Sequence, residues 1–392
     1  MSKLKHLAQR YFNEITILLS IGLQQLTYLL AYNIAMRDTD PERFARDSIL
    51  ILAGTSLVTM LTQPLSIIII RTRERHPTYL NIGVVFLILI IILLVYTIPQ
   101  EQNLQIKDLM YLVILVLSIY YEQINRAHIL WHKKYLMLLL NSVCGITLTF
   151  FIIFVLGISQ LDLIIISYCT FTFISHLIVL KLPNKVKRLS VRQSFENLYE
   201  ARLLITATVL FMPNMWIISE VLKLNAPEEW VVIFNYQITI FLTCCFIPLN
   251  LSKKFILDLS ELNENRITYV FSRSTFVTIF SGAIAMVFTS LAYVFMENTY
   301  KQIMTYFEFS ITIITLVLVL SFLIPFGNLI NALRSDSWAL LQNIFWCVAV
   351  WLYYFLHMEN LTVTTSIEAI IAGYISMLII SIVYFRFVWK GN

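Results

Sequence analysis

The chain has 392 residues, 59% of them hydrophobic and only 13% charged, with a formal net charge of +5. A soluble domain carries about 25% charged residues, so this composition excludes a soluble globular protein and points to an integral membrane protein. Its apolar segments run to about 20 residues, the length a helix needs to cross a bilayer and about twice that of a barrel strand.

In chain order the apolar runs predict twelve spans: 14–36, 48–70, 79–98, 109–125, 135–157, 161–180, 201–222, 231–251, 272–296, 306–331, 338–357 and 366–388. The first run lacks a short apolar core and an Ala-x-Ala-like exit, which predicts a retained span rather than a cleaved signal. With the amino terminus inside, 22 of the 28 basic residues fall on the inner side, leaving Arg37, Arg43, Arg46, Lys107, Lys223 and Lys301 outside. That asymmetry places both termini in the cytoplasm. Outer loops are short, the longest being Arg37–Asp47. The longest inner loop, Lys181–Glu200, divides an amino-terminal lobe (1–180) from a carboxy-terminal lobe (201–392), six spans each. This loop carries Lys185, Lys187, Arg188 and Arg192 among Val186, Leu189, Phe195 and Leu198. It reads either as a basic segment held at anionic headgroups or as a solvated tether, its apolar spacing being irregular for a helix.

The second spans of the two lobes end alike, with Gln63-Pro64-Leu65-Ser66 before Arg71, Arg73 and Arg75, and Pro248-Leu249-Asn250 before Lys253 and Lys254. Proline removes a backbone donor and crowds the preceding turn, so Pro64 and Pro248 are hinge candidates. The fourth spans also close alike, with Gln123-Ile124-Asn125-Arg126 and Leu329-Ile330-Asn331. Two matches in register suggest a six-plus-six repeat, a transporter plan with the substrate between its halves.

Polar residues are costly in lipid and mark interior faces. Gln24, Gln25 and Asn33 of span 1, Gln63 of span 2, Asn214 of span 7, and Asn235 and Gln237 of span 8 are candidates to line a path. The same amides would also serve as hydrogen-bonding fasteners between helices. Glu122 and Arg126 stand four apart, the spacing of a self-neutralising pair. Glu220, Glu308 and Glu368 lie near outer ends and reach the interface, and His176 and His357 either titrate near neutrality or serve structure. Arg10, Arg71, Arg202 and Lys253 cluster at the inner ends of spans 1, 2, 7 and 8. They form a basic mouth suited to phosphate, or act as topology determinants and headgroup anchors.

The five cysteines (Cys144, Cys169, Cys244, Cys245 and Cys347) all fall in apolar segments without metal spacing, as packing residues do. No Gly-rich phosphate loop and no soluble stretch able to hold a catalytic domain is present, so no enzyme activity and no cofactor or metal is expected.

The run Pro248-Leu249-Asn250-Leu251-Ser252-Lys253-Lys254-Phe255 resembles the close of the eighth span in lipid-linked oligosaccharide flippases. Ala226–Trp230 and Phe234-Asn235-Tyr236-Gln237 resemble the outer turn and polar-dotted helix before it, and Asn331-Ala332-Leu333-Arg334 the inner turn after the tenth span. With its span count and short outer loops, the chain resembles the O-antigen (Wzx-type) flippases of the multidrug/oligosaccharidyl-lipid/polysaccharide (MOP) exporter superfamily. The resemblance implies an all-α membrane protein of two six-helix lobes around a central cavity. It also implies translocation of an undecaprenyl-diphosphate-linked oligosaccharide across a bacterial inner membrane by alternating access. A polysaccharide polymerase and a chain-length regulator would be its protein partners, with no role for nucleic acid. The nearest rival is a MATE-like drug exporter of the same superfamily. Such exporters tend to carry an acid in the first or seventh span, where Gln24 and Gln25 stand in span 1 here. An oligosaccharide polymerase or ligase would need a large outer loop, and a major-facilitator sugar transporter a glycine between Arg71 and Thr78; neither is found.

Overall fold

The computed structural model describes residues 2–37, 106–132, 134–156, 161–180, 191–211, 213–261, 266–296 and 298–388, with single positions 44, 48, 49, 51, 52, 54, 55, 58, 62, 64 and 67. Every regular element among them is helical. Long helices satisfy their own backbone donors and acceptors, which lipid cannot do.

The helices in order are α1 (Ser2–Arg37), α2 (Ile106–Trp131), α3 (Tyr135–Leu156), α4 (Leu161–Leu180), α5 (Val191–Phe211), α6 (Pro213–Asn225), α7 (Glu228–Glu261) and α8 (Arg266–Phe295). A short α9 (Asn298–Lys301) precedes α10 (Tyr306–Ala332), α11 (Asp336–Leu356), a 3-10 turn (Met358–Asn360), α12 (Val363–Val383) and a closing π turn (Tyr384–Val388). Among the described residues seven helices are long and apolar enough to cross a membrane: in α1, α3, α5–α6, α8, α10, α11 and α12. The chain is a multi-pass membrane protein.

Two compact units form, Met1–Asp38 with Ala53–Arg202, and Thr39–Leu52 with Leu203–Asn392. The second therefore takes in the start of the predicted second span. Within the first unit α1 packs on α3 and α4, and α2 on α4. Gly145 brings α3 against α4 so closely that a Cβ there would stand 2.4 Å from Phe171 Cε1. Within the second, α10 packs on α7, α8 and α12, and α11 pairs with α12. α2 buries Leu115, Val116, Ile119, Tyr120 and Ile124, and α7 buries Val231, Ile233, Phe234, Ile240 and Phe241. Among the described residues buried polar side chains are most numerous on α1 (Thr16, Ser20, Gln24, Gln25, Thr27 and Asn33) and α2 (Ser118, Glu122, Asn125, Arg126 and His128), because such groups are tolerated where protein, not lipid, surrounds them.

One expectation changes. Val191–Glu200, the second half of the predicted inner loop, is helix, continuous with the span that follows. Irregular apolar spacing does not stop a helix that an adjoining span has already nucleated, since propagation is cheap relative to nucleation. Glu308, exposed at the start of α10, closes a capping box with Thr305, each side chain bonding the other's backbone N–H. That arrangement pairs two helix-terminal donors.

Candidate functional site

In the first unit the polar side chains converge on α2. Its spacing puts Ser118, Glu122, Asn125 and Arg126 on adjoining turns, all of them buried. Arg126 Nη2 donates to Glu122 Oε1 at 2.5 Å, the i,i+4 pair read from the sequence. Gln24 of α1 enters between them. Its Oε1 accepts from Arg126 Nη2, while its Nε2 donates to Glu122 Oε1 at 3.2 Å and to the Tyr28 hydroxyl at 2.7 Å. An amide carries both an acceptor and donors, so one glutamine serves cation and anion together. Tyr28 is fixed by stacking on Tyr168 of α4, centroids 4.1 Å apart, and edge-on against Phe171. Around this centre Asn125 donates to Ser175, and Thr62 of the second predicted span donates to Gln123 Oε1 at 2.5 Å.

In the second unit the buried polar contacts are neutral. Asn214, the second residue of α6, donates from Nδ2 to the carbonyls of Leu210 and Phe211 and accepts from Trp351 Nε1 at 2.6 Å. Pro213 beside it has no N–H to give to the preceding turn, and the Asn214 side chain supplies a donor there. Asn235 of α7 accepts from Ser219 of α6 at 2.7 Å and donates to Ser48 at 2.8 Å. Gln237 donates from Nε2 to Thr312 of α10 at 3.1 Å. Farther along, Gln342 of α11 donates to Ser381 of α12.

Gln24, Asn214, Asn235 and Gln237, the candidates for a polar path, are thus each buried and bonded to a neighbouring helix. Gln25 is buried as well, and Asn33 bonds the carbonyl of Leu29 in its own helix. Of the basic mouth, Arg202 is exposed, its guanidinium lying 3.6 Å over the Tyr199 ring and donating to the Tyr199 carbonyl at 2.8 Å. Arg71 and Gln63 lie outside the described residues, and Arg10 and Lys253 are described as helical backbone only. Pro64 and Pro248 are buried helical residues, and α7 runs through Pro248 from Glu228 to Glu261.

Sequence reasoning missed the junction of Gln24 with Glu122 and Arg126, and the anchoring of Asn214 by Trp351. Nothing local signals either, since the partners stand 102 and 137 residues apart.

Neither a protein-family model nor a curated protein sequence matches the chain. Its structure is similar to that of a MATE transporter from Vibrio cholerae (15% identity over 100% of this chain and 99% of that one, TM-score 0.64). It is also similar to a multidrug resistance MATE family transporter of the MOP superfamily, solved in an outward-facing conformation (14% identity, 95% and 93% covered, TM-score 0.61). A third likeness is to a MOP superfamily transporter from Pyrococcus furiosus, described as having a binding pocket of reverse polarity that suggests a different function (14% identity, 95% and 93% covered, TM-score 0.63). The chain therefore has a MATE-like fold.

Proposed function

We propose that the chain is a MOP-type flippase that carries an undecaprenyl-diphosphate-linked oligosaccharide across a bacterial inner membrane by alternating access of its two lobes. The observation that carries this reading is the state of Glu122. It is the one buried carboxylate among the described residues, and Arg126 and Gln24 already occupy it. A cationic drug would find no bare anionic site there. A diphosphate-bearing lipid is instead suited to the inner-side cations Arg10, Arg71, Arg202 and Lys253, since arginine bonds phosphate in two-pronged fashion and lysine as a point charge. The lipid tail would stay in the bilayer while the sugars pass polar side chains. The fold accommodates more than one pocket polarity, as the description of the Pyrococcus furiosus transporter indicates.

A MATE-like small-molecule exporter is the second reading, favoured by the likeness to a multidrug resistance transporter. Deleting the gene in its host separates the two. A flippase deletion accumulates lipid-linked repeat units on the inner leaflet and depletes surface glycan. Normal glycan with raised drug susceptibility would establish the exporter instead. Arg202→Ala and Lys253→Ala should impair glycan export at unchanged protein level; a loss that merely follows protein level would return them to the role of topology determinants.

A further inference from the structure

Where α10 meets α8, the second unit buries polar groups that the transport reading leaves unused. Pro325 lies inside α10 and has no N–H to give. The carbonyl of Ser321, one turn earlier, therefore lacks the donor that any other residue at 325 would supply. In a membrane helix such a break is tolerated because neighbouring side chains or ordered water take over the released carbonyl.

The side chains beside the break are themselves unanswered. Ser321 and Asn328 are buried, at 0% and 5% exposure, and neither Ser321 Oγ nor Asn328 Nδ2 has a hydrogen-bond partner among the described residues. Seven residues apart, they share one face of α10. On α8 the hydroxyls of Ser274, Thr278 and Ser281 are buried and equally without a partner. Their spacing of four and three puts them on one face as well. Other hydroxyls of the same helix do bond their own backbone: Thr275 and Thr289 donate to the carbonyls of Phe271 and Ala285 at 3.1 and 2.7 Å.

Two contacts place these groups at one depth. Phe271 of α8 meets Phe326 of α10 edge-on, centroids 5.3 Å apart. Gly282 of α8 meets Leu318 of α10, whose Cδ2 would stand 2.8 Å from a Cβ there. The two helices therefore run antiparallel. Ser274, Thr278 and Ser281 fall between the contacts on α8, as Ser321 and Pro325 do on α10, with Asn328 just beyond. Arg273, the one ionisable residue between the contacts, lies over the rings of Tyr269 and Phe255, 5.3 and 5.8 Å from their centroids. What remains is neutral: a carbonyl that accepts, an amide that donates and hydroxyls that do both. Such a set suits a small molecule that also donates and accepts, and a buried water needs two to four polar partners of this kind.

We propose that these groups hold internal water, bonded to the Ser321 carbonyl in place of the N–H that Pro325 lacks and shared with Ser321 Oγ, Asn328 and the α8 hydroxyls. The site is independent of which substrate the protein carries. Its test is radiolytic hydroxyl labelling of the full chain in lipid nanodiscs, where radicals formed from bound water mark the side chains beside it. Phe326 and Phe241 are both buried, at 4% and 0% exposure, so they compare like with like. Phe326 should label several times faster than Phe241. The double variant Ser321→Ala/Asn328→Leu should bring Phe326 down to the level of Phe241. Wild-type labelling of Phe326 no faster than that of Phe241 overturns the proposal, and so does fast labelling that the double variant retains. Should that variant fail to fold, Pro325→Ala decides: it returns an N–H to the Ser321 carbonyl and should slow the labelling of Phe326, and an unchanged rate overturns the proposal equally.

Discussion

The two units bury their polarity differently. Among the described residues, the first holds a charged pair, Glu122 and Arg126, locked by Gln24. The fully buried polar side chains of the second are all neutral, joined by amide and hydroxyl contacts such as Asn214 with Trp351, Asn235 with Ser48 and Ser219, and Gln237 with Thr312. Charges in a low-dielectric interior depend on each other, because removal of one strands the other. Neutral hydrogen bonds between membrane helices contribute little singly, as the separated helix also finds partners. The first unit should therefore fail at one point, and the second only by accumulation.

The strongest way to break this comparison is Arg126→Leu, which leaves Glu122 buried without its cation. Such a change should lower stability by about 3–5 kcal/mol. The double variant Glu122→Leu/Arg126→Leu should recover most of that loss, since a neutral apolar pair needs no compensation. Denaturant unfolding of the purified protein in detergent measures both, and a double variant as unstable as the single would show that the pair is not electrostatically coupled.

In the second unit the largest effect expected is from crowding. Gly373 lets α12 approach α11 so closely that a Cβ would lie 2.6 Å from Val350 Cγ2 and 2.7 Å from Trp346 Nε1. Trp346 is fully buried and braced by Phe211 and Tyr374. Gly373→Ala should cost about 1–3 kcal/mol, visible as a lower unfolding temperature. A silent substitution would mean that the indole yields freely.

Asn214→Ala strands the Trp351 indole N–H and removes a donor from the turn before Pro213, a loss of about 1–3 kcal/mol by the same assay. Adding Trp351→Phe should then cost little more, because the partner is already gone; fully additive losses would show that the two residues act separately. The smallest effect belongs to Gln237→Leu, about 0.6 kcal/mol for one interhelical hydrogen bond. A loss comparable to that of Arg126→Leu would erase the distinction between the units.

Helix positions were legible because they depend on local runs of apolar residues. The predicted spans 135–157, 161–180 and 306–331 meet α3 (Tyr135–Leu156), α4 (Leu161–Leu180) and α10 (Tyr306–Ala332) to within a residue. The Glu122–Arg126 pair was legible for the same reason, four residues being one helical turn. The cap at α10 had a signal that went unread: Thr305 followed by Glu308 before an apolar run is the spacing of a capping box. Trp351 gave no signal, for an aromatic residue on an apolar helix looks like any other until its indole N–H is seen to have a partner.

What the amino-acid sequence alone determined is a helical membrane protein: apolar runs of spanning length leave the backbone no other way to satisfy its hydrogen bonds. It also determined which helices carry amides and that Glu122 faces Arg126. Only the tertiary structure decided what those amides meet. Gln24 lies 98 residues from Glu122, and Asn235 lies 187 from Ser48. Such pairings depend on the order in which helices pack and on the rotation of each about its axis. Lipid-facing sequence leaves both largely open, because one apolar surface serves a bilayer as well as another. Contacts such as Gly373 against Trp346 and Gly145 against Phe171 help set them, through shapes that exist only once the helices are side by side.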